Sequence, residues 1–154
     1  ISMIISNNSK AEGLQYSKIY KIKKKVFDFK NSSSEKKAIN ELKKNNIDLI
    51  CLAGFMKILS KSFIKNFKGK ILNIHPSLLP KYKGLNTHEK AIKNKDKYSG
   101  CTVHFVNSKL DSGKIINQKK VKISKFDNSK TLAKKILIEE HKLYPAAIMK
   151  ILSL

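Results

Sequence analysis

The sequence predicts an α/β fold built on a mainly parallel sheet flanked by helices, and three observations carry that expectation. Short apolar runs of strand length alternate with segments of helical period, the pattern of a layered α/β domain. Residues 48–53 are almost unbroken in apolar character, as expected of a parallel strand covered on both faces. An irregular stretch with two prolines and a glycine, residues 76–86, directly follows a strand; in open α/β sheets chemistry gathers beyond such strand ends. At 154 residues the chain can bury one core, so a single domain over 1–154 is expected.

Residues 1–6 form the first apolar run, 12–19 a helix, and 26–29 a second short strand. Ser32 and Glu35 have the spacing of a capping box, after which Ala38, Ile39 and Leu42 mark one face of a helix. The strand at 48–53 is followed by a helix over 61–67. The next strand, 71–75, is stopped by Pro76, which cannot donate to a ladder. After the 76–86 loop come a helix from Thr87 to about Lys93 and strands over 102–106 and 115–123. Leu132, Ile136, Leu143 and Ala147 line a C-terminal helix expected to bend near Pro145. The sequence has no internal repeat and no long linker.

The formal charge of +22 suggests an anionic partner, yet every basic residue is Lys and none is Arg, the usual choice for bidentate phosphate and base contacts. The lysines are spread along the chain, so a dedicated nucleic-acid role is not favoured. No apolar run approaches the roughly 20 residues needed to span a bilayer, which points to a soluble, cytoplasmic protein without membrane partners. Cys51 and Cys101 each lie inside apolar runs and read as buried thiols. No cluster of His, Cys and carboxylates has metal-ligand spacing.

Two segments could carry chemistry. In Asn73-Ile74-His75-Pro76-Ser77-Leu78-Leu79-Pro80, residues two apart on a strand share a face, so Asn73 and His75 point the same way. An amide can steady a developing oxyanion and an imidazole can move a proton near neutral pH, a pairing that suits acyl transfer. A polar strand end bonded to the next loop would look the same. Leu110-Asp111-Ser112-Gly113 is ordinary turn chemistry by itself; a carboxylate delivered beside His75 would hold the imidazole's tautomer.

Those residues, with Leu52-Ala53-Gly54-Phe55-Met56-Lys57-Ile58-Leu59, with Lys81-Tyr82-Lys83-Gly84-Leu85-Asn86-Thr87-His88, and with Val103-His104-Phe105-Val106, closely resemble the glycinamide ribonucleotide formyltransferases. The motifs fall in order and at compatible spacing over essentially the whole chain. The resemblance implies a Rossmann-like formyltransferase fold and transfer of a formyl group from 10-formyltetrahydrofolate to the amine of glycinamide ribonucleotide, a step of purine biosynthesis. It places Asn73, His75 and Asp111 on the family's catalytic trio. Met56, Lys57, Ile58 and Leu59, with Ile64, fall on the folate-binding stretch, and Glu140 on a carboxylate that binds the ribose; Glu139 could fill that role instead. Lys57 stands where the family commonly has Arg, and Asn86 where it often has His. His88 reads as solvated at a helix start, and His104 as a satisfied core histidine.

The family's first strand and its phosphate-cradling loop have no counterpart here, and Ile1 matches the family's second strand. The chain therefore reads as a segment of a larger protein whose sheet lacks its first strand. As it stands it is expected to be unstable and inactive, and its full-length parent an enzyme. Three alternatives stay open: formyltetrahydrofolate hydrolase, methionyl-tRNA formyltransferase, and a non-catalytic Lys-rich fragment that binds nucleic acid.

Overall fold

The computed structural model describes residues 1–153, which divide into two compact units. The first comprises Ile1–Ile50 and Lys57–Gly69; the second comprises Cys51–Met56 and the chain from Lys70 onward. The α/β class expected from the sequence holds in both, and the strands fall into two sheets, one of two strands and one of four.

In the first unit, β1 (Met3–Ser6) pairs in parallel with β2 (Lys23–Val26), Met3 opposite Lys23 and Ser6 opposite Val26. A 3-10 turn (Glu12–Gln15) leads into the single-turn helix α1 (Tyr16–Ile19) between them. Helix α2 (Ser32–Lys44) buries the predicted stripe of Ala38, Ile39 and Leu42. Helix α3 (Lys61–Asn66) is capped by Ser60, whose hydroxyl oxygen accepts from the Phe63 N–H at 2.9 Å, and Phe63 packs 6.1 Å from the Phe29 ring.

The second unit holds β4 (Lys70–His75), β5 (Tyr98–Phe105) and β6 (Ile115–Lys122), in a sheet of order β3-β4-β5-β6 where β3 is Leu49–Leu52. β5 runs antiparallel to both β4 and β6. No helix separates β5 from β6; without a crossover, consecutive strands can only be antiparallel neighbours. Helices α4 (Thr87–Lys93) and α5 (Ser129–Leu152) complete the unit. Leu72, Val103, Leu132, Ile136 and Ala147 are wholly buried; each large aliphatic side chain so placed contributes about 1.5–3 kcal/mol. Helix α5 starts from a capping box between Asn128 and Thr131. Its Tyr144 hydroxyl lies 2.8 Å from the Leu52 carbonyl and 3.2 Å from that of Leu72, the residue before Asn73.

Several local expectations change. β2 lies three residues before the predicted 26–29 run, because the lysines of 23–25 make the ladder to β1 while Phe27 and Phe29 turn aside to pack against each other. The capping box at Ser32 does not form: Asn31 caps α2 through Ser34 N–H, and the Glu35 carboxylate instead accepts from the backbone and hydroxyl of Ser60. A buried carboxylate finds more donors at that exposed helix start than at its own. Pro145 lies inside helix α5, which continues through it as one element; this does not bear on the expected bend. Cys101 is buried as expected, but Cys51 lies on the exposed face of β3. No helix among the described residues is long and apolar enough to cross a membrane.

The turn from β5 into β6 depends on a glycine. A Cβ at Gly113 would sit 1.7 Å from the Phe105 carbonyl oxygen, so Gly113→Ala must push the strands apart. A loss of about 1–3 kcal/mol is expected, as for other overpacked sites, and urea titration of the two proteins would measure it; equal midpoints would show that the turn adjusts freely.

Candidate active site

Antiparallel pairing places Asn73 of β4 opposite His104 of β5, and His75 opposite Thr102. Beyond β5 the chain makes the turn at 110–113, where Asp111 adopts φ 43°, a left-handed conformation that Asp tolerates better than most residues. The turn returns the Asp111 carboxylate to the end of β4. Its Oδ2 lies 3.4 Å from His75 Nδ1 and accepts from the Gly84 N–H at 2.8 Å; its Oδ1 lies 3.6 Å from His104 Nε2. All three side chains are nearly removed from water, at 7%, 8% and 2% exposure for His75, Asp111 and His104.

The hydrogen bonds assign the ring protons. His75 Nε2 is 2.9 Å from the Tyr82 carbonyl, which only accepts, so Nε2 carries a hydrogen and Nδ1 faces Asp111. His104 Nδ1 donates to its neighbour's carbonyl, at Phe105, over 2.8 Å. Burial holds the His104 imidazole below its ordinary value, outweighing the raising effects of the Phe105 carbonyl and Asp111. A neutral His104 has its lone pair on Nε2, which accepts from Asn73 Nδ2 at 3.3 Å. The contact turns the amide's nitrogen end towards His104.

The 76–86 loop is fastened from several sides. Thr102 Oγ1 donates to the Ser77 carbonyl at 2.6 Å and accepts from the Leu79 N–H and from Gln118 Nε2. The Ser77 hydroxyl donates to the Lys81 carbonyl, and that of Thr87 to the Pro76 carbonyl. Lys83 Nζ donates to Ser112 Oγ at 2.6 Å, joining this loop to the Asp111 turn.

Three of the predicted residues, Asn73, His75 and Asp111, thus come together in the second unit, with His104 as a fourth member that sequence reasoning set aside as core. A histidine next to the last residue of a strand, followed by an Asp-bearing turn, is the signal that could have found it. His88 is half-buried instead of solvated; its Nε2 is closed off from water without a partner, and burial first, then the nearby His75, lowers its pKa. Met56 and Ile58 are each 76% exposed, Lys57 is exposed, Leu59 is buried and Ile64 half-buried. Glu140 on α5 is half-buried, with no hydrogen bond or ion pair among the described residues, and burial raises its pKa. Its neighbour Glu139 is paired with Lys142 at 3.0 Å and Lys119 at 3.9 Å. Asn86 starts α4 with φ 60° and makes no side-chain cap. Among the described residues, no group of three or more His, Cys, Asp and Glu is placed to hold a metal ion.

A buried carboxylate–imidazole pair beside an amide donor, at the end of a strand in an α/β fold, is the equipment of a group-transfer enzyme working on a carbonyl carbon. The sequence matches the formyl transferase family over residues 1–148, and the chain belongs to that family. It is 45% identical over 152 residues to the phosphoribosylglycinamide formyltransferase of Haemophilus influenzae, covering 96% of this chain and 72% of that protein. It is 41% identical over 157 residues to the human trifunctional purine biosynthetic protein adenosine-3, covering 99% of this chain but only 16% of that longer protein. The crystal structure of phosphoribosylglycinamide formyltransferase from Anaplasma phagocytophilum superimposes with a TM-score of 0.90 at 44% identity, over 96% of this chain and 72% of that one.

The depressed histidines have a stability consequence. Both His88 and His104 bind a proton less readily folded than unfolded, so the stability they allow is complete above the unfolded value of about 6.5 and is lost as pH falls below it. Chemical denaturation between pH 7 and 5 should show a declining midpoint, and His88→Gln should flatten that decline. An unchanged slope in His88→Gln would remove His88 from the account.

Proposed function

We propose that the chain carries the catalytic site of a phosphoribosylglycinamide formyltransferase, which moves a formyl group from 10-formyltetrahydrofolate to the primary amine of glycinamide ribonucleotide. The observation that carries this reading is the meeting of Asp111 with His75 at 3.4 Å beside the Asn73 amide. The amine nitrogen attacks the formyl carbon, and the carbonyl electron pair moves onto oxygen. Asn73 Nδ2 and the His75 ring, when protonated, donate to that oxyanion. The attacking nitrogen gives up a proton; the carbonyl then re-forms, the bond from its carbon to the folate nitrogen breaks, and that nitrogen leaves with a proton. Asp111 and His75 are the groups here that can relay it, through water. Folate is a small-molecule substrate in this scheme, and no metal is required.

Met56 and Ile58 leave large apolar side chains in solvent, which suits a stretch that walls an apolar ring, and the family resemblance assigns Lys57, Leu59 and Ile64 to the same folate-binding role. Glu140 supports the ribose assignment because its carboxylate is half-buried and unpaired, whereas Glu139 already has two lysines. A carboxylate held so costs stability that only a ligand's hydroxyls would return. In this reading the activity is cytoplasmic, with small molecules and not nucleic acid as partners, which the similarity to phosphoribosylglycinamide formyltransferases supports.

The test is a formyl-transfer assay on the chain, expressed with whatever sequence flanks it in its natural protein, offering glycinamide ribonucleotide, water and methionyl-tRNA as acceptors. Preference for either of the last two would replace this reading with the hydrolase or the tRNA enzyme. Asn73→Ala, His75→Ala and Asp111→Asn should each lower kcat about a hundred- to a thousandfold. For Glu140 the sign is opposite in stability and binding. A carboxyl whose folded pKa is raised weakens the fold once pH exceeds its unfolded value of about 4.3. Glu140→Gln should therefore raise the ligand-free Tm at pH 7 while raising KM for glycinamide ribonucleotide; a lower Tm would show that the carboxylate has a structural partner.

A further inference from the structure

The 76–86 loop contains a bulky residue in a conformation that bulky residues avoid. Tyr82 has φ 55°, and Gly84, two residues on, has φ 74°. The left-handed region is unfavourable for a non-glycine residue because its Cβ crowds the following carbonyl oxygen, so something must hold Tyr82 there. Its hydroxyl donates to Asp96 Oδ2 at 2.9 Å and accepts from Asn94 Nδ2 at 2.7 Å. Lys81 reaches the other oxygen of Asp96 at 2.7 Å, and its ammonium lies 5.0 Å from the Tyr82 ring centroid. On the inner side, Ser77 is completely buried and directs its hydroxyl at the Lys81 carbonyl, 2.6 Å away, with the Tyr82 carbonyl at 3.3 Å.

This turn aims two backbone groups at the site. The Tyr82 carbonyl accepts from His75 Nε2, and the Gly84 N–H donates to the Asp111 oxygen that faces His75 Nδ1. We propose that Tyr82 is a positioning residue: anchored through its hydroxyl in a left-handed turn, it holds its carbonyl against His75 Nε2 and so reserves Nδ1, beside Asp111, as the edge that takes and gives protons. In many hydrolases a carboxylate orients the imidazole from behind; here a strained backbone carbonyl does so, and the carboxylate is freed for the reacting side. The other titratable groups near this ring are His104 on β5 and His88 on α4, and neither contacts Nε2.

The kinetic half of the test rests on the formyl-transfer reading; the spectroscopic half does not. Nitrogen-15 NMR of the protein with its natural flanking sequence, at a pH where His75 is neutral, should show the ring protonated at Nε2. In Tyr82→Phe, which keeps the ring and loses both hydroxyl anchors, a substantial fraction should shift to the Nδ1–H form. kcat should fall about 10- to 100-fold, the scale of a misplaced catalytic group, with KM within about twofold and the acid limb of the pH–kcat profile displaced. Asp96→Asn weakens the same anchor with little change in packing and should move both readouts in the same direction; it decides the matter if Tyr82→Phe does not fold. A folded variant that keeps His75 wholly at Nε2–H, with an unaltered pH profile, overturns the assignment. If the parent transfers no formyl group, the tautomer populations alone decide it.

Discussion

A carboxylate buried between two imidazoles is the constraint on which the rest of the second unit depends. An ionised Asp deprived of water is strongly unfavourable unless donors replace the lost hydration. Asp111 accepts from the Gly84 N–H; His75 Nδ1 lies against the same oxygen and donates to it when the ring is protonated, and His104 Nε2 lies near the other oxygen. These three come from different places: a loop after β4, the end of β4, and the last turn-facing positions of β5. They meet only if the β4–β5 register is correct. A slip of one residue would send Asn73 and His75 to the opposite face of the sheet, leaving the carboxylate without its partners.

The polar network behind the loop enforces that register. Thr102 sits opposite His75 in the ladder and is fully buried, yet its hydroxyl bonds to both the Ser77 carbonyl and the Leu79 N–H. Gln118, from β6, bonds the same hydroxyl and the Leu79 carbonyl. Three consecutive strands therefore hold one loop through side chain–backbone bonds. A partly satisfied buried network costs more than none, so these groups tolerate only a narrow set of loop positions. The left-handed turn at Tyr82 is sustained by that intolerance from within and by Asp96 from without.

Much of this was legible in the sequence, and what was not has identifiable causes. The two-residue spacing of Asn73 and His75 put them on one strand face with no further information. Asp111 was readable only through its family resemblance, because a turn's sequence states its local shape and not where its side chain lands. His104 reads as core from the sequence, and it is buried: such a histidine on a central strand looks the same whether or not it joins a site, and cross-strand partners are invisible to periodicity. Glu35 failed for a related reason. Its spacing to Ser32 suggested a local cap, but a donor distant in sequence, Ser60, competed better. β5 began earlier than predicted because Ser99, Gly100 and Cys101 are weak strand formers placed there by tertiary cover.

The lysine excess belongs to a different scale of distance. β6 ends the four-stranded sheet and carries exposed Lys119, Lys120 and Lys122, which discourages another chain from pairing with that edge. Ion pairs at such exposed positions contribute little, about 0–1 kcal/mol each, so the charge is not chiefly a stabilising device. At the candidate site the short-range contacts are made by an amide, imidazoles and backbone groups, and Lys83 enters only through a hydroxyl on the Asp111 turn. With screening over about 8 Å at physiological salt, a surface of this sign draws anionic ligands toward the protein without fixing their orientation. Orientation is left to uncharged donors, and that division explains how a chain with +22 formal charge can keep its candidate site built around a single carboxylate.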